Sequence, residues 1–143
     1  MIRAGAWMII FFGAAHTLAA LTIEGAAWHM GAWFGGELWG ADFSAMTPAH
    51  SALWLSLESF GVPLVVIGAT VLWLDRRGIT PPAFIGWTLG AWTLVTAAIL
   101  LFSPWPILLL GNTLLLVGIR RKTALNLHKT VASAEGRPLR SNS

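Results

Sequence analysis

The chain contains no cysteine, which excludes disulfides, thiolate metal sites and cysteine nucleophiles. It is almost as poor in charge. Only 10% of its 143 residues are Asp, Glu, Lys or Arg, against about 25% in soluble domains. From Glu24 to Thr47 there is no Lys or Arg at all. The sequence also lacks a phosphate-binding glycine loop, a G-x-S-x-G elbow and a dinucleotide fingerprint. The E-x-x-H pairs of carboxylate metal bundles are missing too. A b-type haem needs two His at similar depth, whereas His16 and His50 are expected to differ by about 12 Å. No metal and no cofactor is therefore expected.

What is present is apolar. Hydrophobic residues make up 56% of the chain and the mean hydropathy is +0.70, which is the composition of an integral membrane protein. The net charge is +3, but the basic residues sit beside apolar segments rather than over a soluble face. They therefore orient a membrane chain and do not suggest a nucleic-acid partner. The start, MIRAGAWMIIFFGAAH, resembles a signal peptide. The apolar run continues past His16 to Ile23, so it reads as a retained first helix.

The expected fold is all-α, an integral membrane bundle of four helices. Span one covers about Ala4 to Ile23, close to the ~20 residues a crossing needs. A long Trp- and Gly-rich loop follows, with Trp28, Trp33 and Trp39, and loops of this size often act as lids. Span two covers Ala49 to Leu74. Thr47 is expected as its N-cap and Pro48 as its first residue, and Gly61-Val62-Pro63 should kink it. Span three covers about Ala83 to Phe102, and span four about Pro106 to Ile119. Trp7, Trp73, Trp87 and Trp105 fall near predicted membrane edges as belt residues. The bundle is expected over residues 1–122, with a basic, disordered tail over 123–143. All nine Lys and Arg residues fall on one side of this arrangement. The positive-inside rule then puts both termini in the cytoplasm, with the chain in the cell membrane and the acidic, Trp-rich loop outside.

Depth follows from the helical rise of 1.5 Å per residue. His16 should lie about 12 Å below Glu24, and Glu58 about 12 Å below His50. Thr96 should lie about 10 Å below Ser103, and Asn112 about 9 Å below Pro106. Each span thus brings a polar side chain to one layer. Packed antiparallel, spans one and two would set His16 against Glu58 and Glu24 against His50. His50, Trp54 and Glu58 share a face by their spacing of four. Trp54 and Trp92 would wall a cavity with Glu58 at its base.

A carboxyl group and an imidazole within reach can act as acid and base, and Trp faces can hold a developing cation. The candidate catalytic residues are Glu58, His16, His50 and Glu24, with Trp54, Trp92, Thr96 and Asn112 contacting substrate. The bland alternatives stand beside them. His16 and Asn112 can simply bridge helices, Thr96 can be packing glue, and His50 and Glu24 can be satisfied by interfacial water.

At FFGAAHT (Phe11 to Thr17), SFGVPLVVIGATVLWLDRRG (Ser59 to Gly78) and PPAFIGWTLGAW (Pro81 to Trp92), the chain resembles an uncharacterised family of small bacterial four-span membrane proteins. That resemblance implies the four-helix architecture and no activity. Sterol isomerases of the emopamil-binding type and membrane-bound terpene cyclases are similar as small bundles with buried carboxylate donors, but neither matches residue by residue. Small multidrug exporters carry their buried Glu in the first span, whereas Glu58 is in the second.

The leading expectation is an enzyme that isomerises or cyclises a lipophilic, terpenoid- or sterol-like substrate, with Glu58 as proton donor. A proton-coupled or cation-binding transport component and a structural membrane subunit are the alternatives. Partners would be the lipid bilayer and a lipophilic small molecule, and a homo-oligomer is compatible with all three readings.

Overall fold

The structure is a computed structural model and describes residues 1–100 and 104–135. All regular elements among them are helical. Helix α1 spans Ile2–Thr22. The connection that follows holds a 3₁₀ turn at Ala26–His29, the short α2 at Met30–Phe34 and a second 3₁₀ turn at Phe43–Ala45. Then come α3 (Pro48–Ser56), α4 (Gly61–Arg76), α5 (Ala83–Ile99) and α6 (Trp105–Glu135). By length and composition, two stretches can cross a membrane: Ile2–Thr22 and, counted across a break, Pro48–Arg76. Helix α5 is apolar but shorter.

Helix α1 is the centre of the assembly, packed against α4 on one side and α6 on the other, and α5 packs on α6. Small residues permit the close approach. A Cβ on Gly13 would meet the Gly61 carbonyl oxygen and Leu64. A Cβ on Gly5 would lie 2.6 Å from the Gly111 carbonyl oxygen. Ile9, Leu64, Val71, Leu108 and Leu115 fill the space between the helices. Helices α4 and α5 stay apart. The groove between them, about 240 Å³, is lined by Ile67, Thr70, Phe84, Ile85 and Leu89.

The segment read as one kinked span is two helices. Thr47 caps α3 as expected, accepting from the His50 N–H at 3.2 Å, with Pro48 in the first turn. The helix then stops at Ser56, and Leu57–Phe60 are non-helical. Pro63 explains the position of the break. It has no N–H to give to Ser59, and its ring collides with that residue's carbonyl in a continuous helix. Starting afresh at Gly61 puts Pro63 in the first turn of α4, where no intrahelical acceptor is needed. The disruption therefore falls one turn earlier than Pro63 itself.

Two other boundaries differ from expectation. Helix α6 runs on to Glu135, so residues 123–135 continue as helix where fraying was expected. Residues 136–143, the rest of that tail, lie outside the described residues, as do Phe102 and Ser103 at the expected end of span three. At the other extreme of the molecule, Asp75 joins three elements. It accepts from Arg3 Nε at 2.8 Å and from Lys122 Nζ at 3.0 Å. These are the only ion pairs among the described residues.

Candidate functional site

The antiparallel register of α1 and α4 brings His16 to the break between α3 and α4. There its ring lies against Phe60, with centroids 4.0 Å apart, and its Nε2 is 3.1 Å from Ser59 Oγ. Ser59 Oγ is also 2.9 Å from the Ser56 carbonyl oxygen. A carbonyl only accepts, and a serine has one hydroxyl proton. Both contacts are satisfied only if Ser59 donates to Ser56 and His16 Nε2–H donates to Ser59. The neutral ring then carries its proton on Nε2, and Nδ1 is left as an acceptor. This polarity is the reverse of a serine nucleophile, whose hydroxyl must donate to the imidazole.

Aromatic side chains from three helices and the break converge here. Phe60 stands 5.4 Å from Trp92 of α5 and 5.8 Å from Trp105 of α6, and Phe12 of α1 is 5.5 Å from Trp105. Beside this cluster is a cavity of about 400 Å³, lined chiefly by Phe11, Phe12, His16, Phe60, Trp105 and Ile107. Its walls are apolar apart from the imidazole and the edge of the Trp105 indole. Such a chamber, with one placed polar group, has the character of a small-molecule site.

The remaining expected site residues are dispersed. Glu58 lies in the break and is exposed. Its carboxylate has no hydrogen-bond or ion-pair partner among the described residues, and it does not line the cavity. The expected His16–Glu58 pair therefore does not form. The loss of helix at Leu57 leaves Glu58 exposed and sets Ser59 against His16. Glu24 is exposed as well and does not meet His50.

His50 is buried, 6% exposed, against Phe43, and its Nδ1 has no partner among the described residues. Trp54 is half-exposed against the other side of Phe43, at 5.9 Å, and takes no part in the cavity wall. Trp92 belongs to the aromatic cluster but does not line the cavity. Thr96 bonds back to the Trp92 carbonyl of its own helix at 2.9 Å. Asn112, 2% exposed, donates to Thr93 Oγ1 at 3.3 Å and ties α6 to α5. The polar layer thus resolves into two separate interhelical bonds, His16–Ser59 and Asn112–Thr93. Among the described residues no group of three or more His, Asp or Glu is placed to hold a metal.

The long connection is fastened over the start of α3. Trp33 Nε1 donates to the Ala49 carbonyl at 2.8 Å, and Asp42 accepts from the Ser44 N–H and hydroxyl. Those bonds hold the Asp42 carboxyl below its usual range, the Ser44 N–H being the larger cause. Trp28, Phe34 and Trp39 project outward, fully exposed.

The sequence reading missed Phe12, Ser59, Phe60 and Trp105. Trp105 was expected in an interfacial belt and is instead 4% exposed in the core. The available signal was spacing: Phe12 and His16 lie four apart on α1, on one helical face.

No family model matches this chain, and no match was found among curated proteins or solved structures.

Proposed function

We propose that this chain is an integral membrane protein that holds a lipophilic small molecule in the cavity beside His16. In this reading α1, α3 with α4, α5 and the first half of α6 make four crossings of the cell membrane, with both termini in the cytoplasm. This is the arrangement of the small bacterial family it resembles. Outward faces rich in Phe11, Leu18, Val66, Phe84, Leu94 and Leu110 support it, because water-facing surfaces of monomers rarely carry contiguous apolar area on this scale.

The observation that carries the proposal is the imidazole in a chamber whose other walls are apolar save the edge of the Trp105 indole. The imidazole tautomer leaves Nδ1 without a partner among the described residues. An acceptor there selects a ligand with one donor group, such as a hydroxyl on a terpenoid or sterol skeleton. In the isomerisation or cyclisation suggested by the sequence, His16 Nδ1 would then be the group that takes up a proton from the ligand, and Glu58 would have no part in the cavity. A structural subunit is the second reading, favoured by the Asn112–Thr93 bond, which fixes helix register without any ligand.

The test uses the detergent-purified full chain and a fluorescent sterol or prenyl alcohol. Saturable binding is expected, and it should weaken at least tenfold in His16→Phe, which keeps the ring but removes the acceptor. Ala15 lines the same cavity, and Ala15→Trp, which fills it, should abolish binding. Glu58→Gln should bind within about twofold of the parent, as an exposed substitution does. Binding unchanged by both His16→Phe and Ala15→Trp would remove the ligand-binding reading.

A further inference from the structure

A second polar centre lies at the other end of α1, where α4 finishes and α6 emerges. A pocket of about 350 Å³ opens there, lined chiefly by Ile2, Arg3, Asp75, Arg121, Lys122 and Leu125. Three of these side chains are cationic and one is anionic, so the lining carries a net charge of +2 (three minus one). Asp75 uses only part of the available donors. Arg3 gives it the Nε–H alone, which leaves both terminal nitrogens of that guanidinium without a protein acceptor among the described residues. Arg121 is exposed and makes no hydrogen bond or ion pair among them. Guanidinium forks of this kind match phosphate oxygens.

Two further features point the same way. No side chain caps the first turn of α1, which starts at this pocket, so its amides add positive potential. The surroundings are those of a membrane edge. Arg77 sits over the Trp73 ring at 5.3 Å and Arg120 over the Trp87 ring at 5.6 Å. Ile2 and Leu125 put apolar surface beside the cations.

We propose that this pocket binds the phosphate headgroup of an anionic phospholipid, with Arg3 and Arg121 gripping the phosphate oxygens and Lys122 held in place by Asp75. The acyl chains run along the apolar faces beside the pocket. Basic pockets between membrane helices on the cytoplasmic side act in this way. The inference depends on the chain lying in a bilayer and not on the His16 cavity, so it stands or falls separately from ligand binding there.

The experiment is native mass spectrometry of the full chain in detergent, titrated with short-chain phosphatidylglycerol, short-chain phosphatidylcholine or sodium phosphate. Phosphatidylglycerol should bind with one saturable high-affinity site, and phosphatidylcholine should not. Arg121→Gln, which leaves the Asp75 bridges intact, should weaken phosphatidylglycerol about fivefold, the worth of one cation facing an anionic lipid. Lys129→Gln removes the same charge farther along α6 and should change nothing. Equal effects of Arg121→Gln and Lys129→Gln, or equal binding of the two lipids, would overturn the site. Full displacement of phosphatidylglycerol by millimolar inorganic phosphate would assign the pocket to free phosphate and overturn the lipid proposal.

Discussion

His16 donates through Nε2 to Ser59 Oγ across 3.1 Å, and the Ser59 hydroxyl in turn donates to the Ser56 carbonyl at 2.9 Å. These two bonds fasten α1 to the break between α3 and α4. They also fix which imidazole nitrogen carries the proton.

Ser59→Ala should therefore change the ring as well as the fold. Nitrogen NMR of His16 at pH 8, above the usual imidazole range, should show the Nε2–H tautomer in the parent and a mixture in the variant. The lost bonds should cost about 1 kcal/mol in thermal unfolding. An unchanged tautomer would mean that Ser59 does not set it.

The two types of glycine should behave oppositely. On Gly61, a Cβ would strike Thr17 Oγ1 and the Gly13 carbonyl oxygen. Gly61→Ala should destabilise the protein by about 1–3 kcal/mol, as overpacking does. Gly90 has nothing within 4 Å of such a Cβ, so Gly90→Ala should be neutral or stabilising by up to about 1 kcal/mol through helix propensity. Paired melting curves in one detergent decide it.

Asn112 and Thr93 should be coupled. Thr93→Val leaves the buried Asn112 amide without its acceptor, and Asn112→Leu leaves Thr93 still bonded to the Leu89 carbonyl at 2.6 Å. A double-mutant cycle should return an interaction of about 0.6 kcal/mol, typical between membrane helices. A value of zero would show that the 3.3 Å contact carries no energy.

Asp75→Asn should loosen one end of the assembly more than loss of either cation. The Arg3 side chain is 69% exposed and that of Asp75 is 14% exposed. Arg3→Gln should then cost under about 1 kcal/mol, the range of screened pairs. Asp75→Asn, which strips both partners at once, should cost about 1–3 kcal/mol. Hydrogen exchange at the first turn of α1 should rise in Asp75→Asn and hardly in Arg3→Gln.

The sequence made some of this readable. The Thr47 cap, the close of α4 at Arg76 and the start of α5 at Ala83 all followed from local chemistry. Arg3 and Lys122 both meet Asp75, a convergence that no local pattern announced. Rotation about the helix axis was not readable, because it accumulates along an unbroken helix and is reset by any interruption. Four non-helical residues between Ser56 and Gly61 were enough to exchange Glu58 for Ser59 at the His16 position. Trp105 was misjudged for a related reason. Proximity to a helix end says how deep a side chain lies, but not whether it turns toward neighbours or away from them.

The central place of α1 has a consequence for how the chain is made. Both surfaces it must cover belong to helices that come much later in the chain. Until α4 arrives, Gly13 has no counterpart, and until α6 arrives neither does Gly5. A chain stalled after α5 would therefore hold α1 with its α6-facing surface still uncovered.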